Sequence, residues 1–326
     1  MSYILGDFPS PRENPLVHPG RRPPGSYLFD GAEHIFPLKD LGKGIDDISF
    51  VSFEGIKNVN QFLRKRGVAL LEQRIPVLAY GTNPCPGQLA FKFRSIESRV
   101  VPVLKGRLKG WDTVYKFLSR SGYAYAQLIP ADDVEVEVWV TLLDQIQFEH
   151  MNTTEGIFSI PKQYEVGIVS NVQSEHGKIF SALFYAGNTR IFLSPGCDGQ
   201  KDTPVSILEI PAKGRVTPSL TQEEILNHCV RVFELEGVLK ACFPQDDTRM
   251  PRLPGLRLAE FLNRHFLAHG GEGATCRSCD AMLSRIFQLT ESLHCHALSV
   301  SQLPGIQRTL LEDPNKSPMT FGDVWG

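Results

Sequence analysis

The sequence predicts an α+β fold: a small mixed β-barrel in the middle of the chain, a proline-rich extension before it and a helical domain after it. Three observations carry that prediction. Between Val100 and Phe184 the apolar residues fall in short runs separated by turn residues, with few stretches at helical spacing, as in strands that curl into a barrel. Up to about residue 26, prolines stand at positions 9, 11, 15, 19, 23 and 24 with few large apolar residues between them. After Gly214 the apolar spacing becomes helical.

Each segment follows from its composition. The arm is expected to be extended or disordered unless it packs on the body, because it holds too little apolar surface to fold alone. From Ile56 to Gln73, the residues Val59, Phe62, Leu63, Val68, Leu70 and Leu71 recur near helical spacing, while Gly67 weakens the middle. That helix leads into a strand at Pro76 to Tyr80. Further strands are expected at Val100 to Leu104, Trp111 to Phe117, Tyr123 to Leu128, Val134 to Leu143, Tyr164 to Val172 and Lys178 to Phe184, with turns between them. The run VEVEVWV at Val134 to Val140 alternates and then becomes continuous, as for a strand covered on both faces in its second half. Thr221 and Glu224, at capping-box spacing, open a helix with Ile225, Cys229, Val232 and Phe233 on one face. Two more helices are expected near Leu256 to Ala268 and Asp280 to Leu293, then a polar, irregular tail after Pro304. The units are residues 1–73, 74–214 and 215–326.

With 326 residues, 42% of them hydrophobic, and a net charge of -2, the chain can bury a substantial core. Its 34 Lys and Arg are balanced by 36 Asp and Glu and spread along the chain, which argues against nucleic acid or an anionic membrane as partner. Arg64, Lys65 and Arg66 read as a solvated helix face. No stretch approaches the roughly 18 apolar residues of a membrane span, and the first residues lack the pattern of a secretory signal. A cytoplasmic protein is expected. Seven cysteines, an odd number, read as thiols in a reducing compartment. The oligomeric state is not legible.

Two short motifs carry chemistry. The strand ending at Tyr80 runs into Gly81-Thr82-Asn83-Pro84, a turn whose backbone N–H groups can act where no charged side chain stands. Farther on, a polar helical stretch from Leu142 ends on Asn152-Thr153-Thr154-Glu155-Gly156 before the next strand. By itself Glu155 also reads as a surface acid beside a turn glycine.

In order and spacing, these motifs resemble the γ-glutamylcyclotransferase family, including its AIG2-like and butirosin-biosynthesis relatives, over roughly residues 74 to 190. Tyr80-Gly81-Thr82-Asn83 is similar to the family's Tyr-Gly-Ser-Asn, Glu155-Gly156 to its acid-glycine pair, and Gly177 to Asn188 to its closing strand. The resemblance implies release of 5-oxoproline from a γ-glutamyl amide or amine, without metal or organic cofactor. Glu155 would be the general base, and Tyr80, Gly81, Thr82, Asn83 and Tyr185 would contact the small-molecule substrate. In that reaction the substrate's own α-amine attacks its γ-carbonyl, so the protein must orient it, take a proton and hold an oxyanion. A partly desolvated Glu155 is expected, with its pKa raised toward neutrality.

Some residues depart from the family pattern or invite other readings. Thr82 keeps the hydroxyl of the usual Ser, whereas Pro84 removes an N–H and Cys85-Pro86 stand where Leu and a helix start are usual. The family's closing-strand tyrosine falls nearer Phe184 than Tyr185. Cys85 with His150 or His176 could be a nucleophile and base, against the plainer reading of a structural thiol. His265, His269, Cys276 and Cys279 could hold zinc, with His294, Cys295 and His296 nearby, although the spacing fits no common zinc motif. A non-catalytic binding protein on the same fold is the alternative to the enzyme.

Overall fold

A computed structural model describes residues 2–39, 44–51, 55–119, 121–158, 164–175, 177–187, 193–194, 203–232, 234–237, 239, 254–268, 317 and 319–325. The arm packs on the body. It holds strand β1 (Tyr3–Ile4), two 3-10 turns and β2 (Tyr27–Phe29), and leads to β3 (His34–Lys39) and β4 (Ser49–Phe50). Helix α1 (Val59–Arg66) opens at Asn58, whose side chain accepts from the Gln61 N–H, and stops at Gly67 in the left-handed region (φ 66). A 3-10 turn at Leu71–Gln73 takes over, so the expected longer helix is two pieces. Arg64, Lys65 and Arg66 are exposed.

Five strands close a ring. β5 (Ile75–Ala79), β6 (Val101–Leu118), β7 (Ala124–Leu143), β8 (Tyr164–Ser174) and β9 (Ile179–Gly187) pair in the order β6-β8-β9-β5-β7, and β7 returns to β6. Neighbours run antiparallel except β5 and β9, which pair in parallel at Val77 and Leu183. Where the sequence suggested four strands there are two: β6 is one strand of 18 residues and β7 one of 20. The glycines that read as turns are there for other reasons. A Cβ on Gly106 would lie 2.6 Å from the Gln173 carbonyl oxygen of β8, and Gly110 (φ +83) sits where the β6–β7 register shifts.

Helix α2 (Pro86–Lys92) follows β5, and α3 (Gln145–Thr154) links β7 to β8 behind an Asp144–Gln147 capping box. α4 (Gln222–Val232) opens as expected, with Glu224 Oε2 accepting from the Thr221 N–H at 2.7 Å and Thr221 Oγ1 accepting from the Glu224 N–H at 3.2 Å. α5 (Pro254–Ala268) is the second expected helix, and the third lies outside the described residues. The end of the tail is helical instead of irregular: α6 (Phe321–Trp325) sets Phe321 and Trp325 one turn apart, both edge-on to Phe180 of β9. One buried cluster includes Leu28 of β2, Phe62 of α1, Leu142 of β7, Leu226 of α4, Leu258 of α5 and Trp325 of α6.

The segment before α4 is fastened to the barrel by a buried ion pair. Arg215 donates to both carboxylate oxygens of Asp112 on β6 and, at 3.1 and 3.2 Å, to the carbonyls of Ile207 and Ile210. Ser206 Oγ donates to Asp112 Oδ2 at 2.7 Å. The arm is fastened just as closely to the loop after β5. Arg22 donates to the Gly81 carbonyl at 2.8 Å, Tyr27 Oη to the Pro84 carbonyl at 2.6 Å, and Ser10 Oγ to Gln88 Oε1 at 3.1 Å. Glycines permit the approach: a Cβ on Gly87 of α2 would sit 2.0 Å from the Phe8 carbonyl oxygen, and one on Gly20 would sit 2.7 Å from Cys85 Cβ.

Two outcomes are expected. Arg215→Met strands Asp112 in the interior and lowers stability by about 3–5 kcal/mol, read by denaturant titration. Gly87→Ala ought to gain about 1 kcal/mol from helix propensity. Its Cβ meets arm backbone, however, so a net loss of about 1–3 kcal/mol and faster proteolysis of the arm are expected.

Candidate functional site

Tyr80, Gly81, Thr82, Asn83 and Glu155 line one cavity at the end of β5. The open space, about 50 Å³, is several times the roughly 10–15 Å³ one water needs, so it is a wet cavity and not a packing gap. The loop is built for close contact more than for unusual backbone angles, since a Cβ on Gly81 would lie 3.0 Å from Ala126 Cβ of β7. Tyr80 is buried and its hydroxyl donates to the Tyr185 carbonyl, tying the loop to β9. Among the described residues, the N–H groups of Gly81, Thr82 and Asn83 donate to no protein acceptor. With the Gly81 carbonyl held by Arg22, the trans peptide fixes the Thr82 N–H in the opposite direction.

Glu155 follows α3, beside Gly156 in the left-handed region (φ 70). Although 72 residues separate them, Asn83 Nδ2 donates to Glu155 Oε1 at 3.0 Å. Lys92, the last residue of α2, donates to the same oxygen; its side chain is 2% exposed and that of Glu155 16%. Oε2 has no partner among the described residues, and neither does the buried Asn83 Oδ1. The expected upward shift of Glu155 does not occur. Burial pushes its pKa up, but the Lys92 ammonium, the Asn83 amide and the Arg12 guanidinium outweigh it, and the carboxyl stays below its ordinary value. Burial also pulls the Lys92 ammonium down, against the attraction of Glu155.

The rest of the wall comes from residues that sequence reasoning missed. Arg12 and His18 reach in from the arm, Gln88 and Lys92 from α2, and Tyr123, Tyr125 and Tyr164 from around β7 and β8. Five of the chain's 8 tyrosines line this one space, a concentration that Tyr123 and Tyr125, two apart, could have signalled. The Arg12 guanidinium lies over Phe91 and over Phe266 of α5 (5.8 and 5.7 Å), and Asn263 of α5 donates to the Arg12 carbonyl at 2.8 Å. The helical segment therefore supports the wall from behind. His18 is buried and stacked on Tyr123 (4.9 Å); burial, then nearby Arg22, lowers its pKa to about 3, so the ring is neutral.

The remaining candidates separate. Tyr185 lines the cavity with its hydroxyl donating to Asn152 Oδ1 at 2.7 Å, while Phe184 belongs to the buried cluster that holds Leu226 and Trp325. Cys85 is buried beneath the arm, 3.6 Å from the Pro9 carbonyl oxygen, and burial raises its pKa, which overturns the nucleophile reading. His150 is occupied by the Lys92 carbonyl at 2.7 Å, and His176 lies outside the described residues. His265 lies on α5; His269, Cys276, Cys279, His294, Cys295 and His296 lie outside the described residues, among which no group of three metal-ligating side chains occurs. No helix among the described residues is long and apolar enough to cross a membrane.

No protein-family model and no curated protein matches the chain. Among solved structures it is similar to one described as a gamma-glutamyl cyclotransferase, at 14% identity and a TM-score of 0.32, over 58% of this chain and 98% of that one. It is also similar to an uncharacterized protein from Homo sapiens (15%, TM-score 0.31, 59% and 99% covered). A third likeness is to an Arabidopsis thaliana protein solved in solution (14%, TM-score 0.29, 54% and 95% covered). These likenesses concern the fold alone and reach no particular branch such as the AIG2-like proteins. The chain has an α+β fold, a closed five-strand barrel with helices.

Proposed function

We propose that the cavity takes γ-glutamyl amides or amines and releases 5-oxoproline from them, with Glu155 as general base. One observation carries the reading: a desolvated carboxylate and a loop with undonated N–H groups, far apart in sequence, belong to residues that line the same space. The open Oε2 of Glu155 and Oδ1 of Asn83 offer acceptors for an α-ammonium. The N–H groups of Gly81, Thr82 and Asn83 offer donors for a carboxylate or the developing oxyanion. Fixing the glutamyl chain between them brings amine and γ-carbonyl into attack geometry, where most of the rate gain of an intramolecular reaction lies. Glu155 is held ionised by Lys92, which leaves Oε2 unprotonated while making the carboxylate a weaker base.

A second reading, a binding protein without turnover, is favoured by one observation: Lys92 already occupies an oxygen of Glu155. The two readings part in a single assay. Incubation with a panel of γ-glutamyl amines and amides is expected to yield 5-oxoproline from the parent, and Glu155→Gln to lower kcat/KM by roughly 10²–10⁴-fold. A silent parent that still binds panel members would favour the second reading. Because Glu155 stays ionised below the ordinary glutamate range, kcat/KM is expected to remain level as pH falls through that range and to drop only beneath it. An acid limb at or above the ordinary value would rule out the base described.

A further inference from the structure

Glu155 is constrained in a way that leaves half of the proton traffic unassigned. Its Oε1 accepts from both Asn83 and Lys92, which holds the carboxylate plane, so only Oε2 is open to a substrate. Lys92 itself is a cavity residue. Its carbonyl is held by His150 at 2.7 Å, and its ammonium touches Glu155 Oε1 and, at 3.2 Å, the thioether sulfur of Met151. Sulfur is a weak acceptor. An ammonium has three N–H groups, and the third has no acceptor among the described residues.

Resting on the function proposed above, we propose that Lys92 is a second catalytic residue, the general acid that protonates the leaving nitrogen. Glu155 Oε2 takes one proton from the α-ammonium, and the amine attacks the γ-carbon, forming the new C–N bond while the carbonyl electron pair moves onto oxygen. As that pair returns, the bond to the leaving nitrogen breaks and Lys92 delivers a proton to it. The ring nitrogen, still carrying two hydrogens, returns one to Lys92. The proton held on Glu155 departs on the product amine, so both side chains end as they began. Burial of the ammonium, which weakens its hold on a proton, suits it to this step.

The test uses leaving groups of different basicity. A γ-glutamyl alkylamine needs its nitrogen protonated to leave, whereas γ-glutamyl-p-nitroanilide expels a weakly basic aniline with little help. Lys92→Met, which also removes the charge that holds Glu155 ionised, is expected to slow both substrates, but the alkylamine at least about tenfold more than the anilide. Lys92→Arg keeps the positive charge beside Glu155 but gives up its proton far less readily, and is expected to fold like the parent yet show the same selective loss. Equal losses on both substrates, no loss on either, or full alkylamine turnover by Lys92→Arg would each overturn the acid role. A parent silent on both substrates defeats the underlying reaction, a result distinct from turnover that ignores leaving-group basicity.

Discussion

The contact that most shapes this cavity is the ammonium of Lys92 on the carboxylate of Glu155. Burial pushes the Glu155 pKa up, and Lys92, helped by Asn83 and Arg12, more than offsets it. The pairing in turn dictates much of the surrounding architecture. α2 has to begin at once after the loop so that its last residue arrives beside Glu155, and α3 has to end at Glu155 with Met151 and Asn152 turned inward. The Lys92–Glu155 and Asn83–Glu155 contacts both tie the segment after β5 to the end of α3.

The same logic explains Pro84 and Cys85, the two residues least expected in such a loop. The Pro84 carbonyl accepts from Tyr27, and Cys85 provides the small surface against which Gly20 and the Pro9 carbonyl rest. Neither residue lines the cavity; together they form the seat of the arm. Once seated, the arm closes the cavity with Arg12 and His18 and fixes the Gly81 carbonyl through Arg22. The unexpected residues of the loop and the presence of the extension are thus one feature: Pro84 and Cys85 stand where the arm docks.

What could be read from the sequence was local, and what could not was long-range. The strand-turn of Tyr80 to Asn83, the acid at Glu155 and the capping box of α4 each lie within a few residues; the first two line one cavity and the third forms. Lys92 looks like an ordinary solvated base at a helix end, and only three-dimensional closure reveals that it is 2% exposed. Arg12, His18 and Arg22 belong to a stretch whose composition suggests no structure, because the groups that order it are supplied from 59 to 251 residues away. Gly106 and Gly110 misled for a related reason: a glycine marks a turn, a bulge or a close neighbour alike, and the neighbour of Gly106 lies on β8.

Charge balance narrows what this cavity can accept under either functional reading. Arg12 and Lys92 bring two positive charges to the wall and Glu155 one negative charge, while His18 is neutral. A ligand that carried only an ammonium would add a third cation. At about 4 Å and an effective dielectric of about 20, each like-charge contact costs on the order of 4 kcal/mol, enough to cancel what the open Oε2 of Glu155 could return. A head group with ammonium and carboxylate on one carbon escapes this, because the carboxylate enters with the cation and can meet the loop N–H groups or Arg12. Charge selection at this cavity thus falls to residues of the arm and α2 as much as to the loop itself.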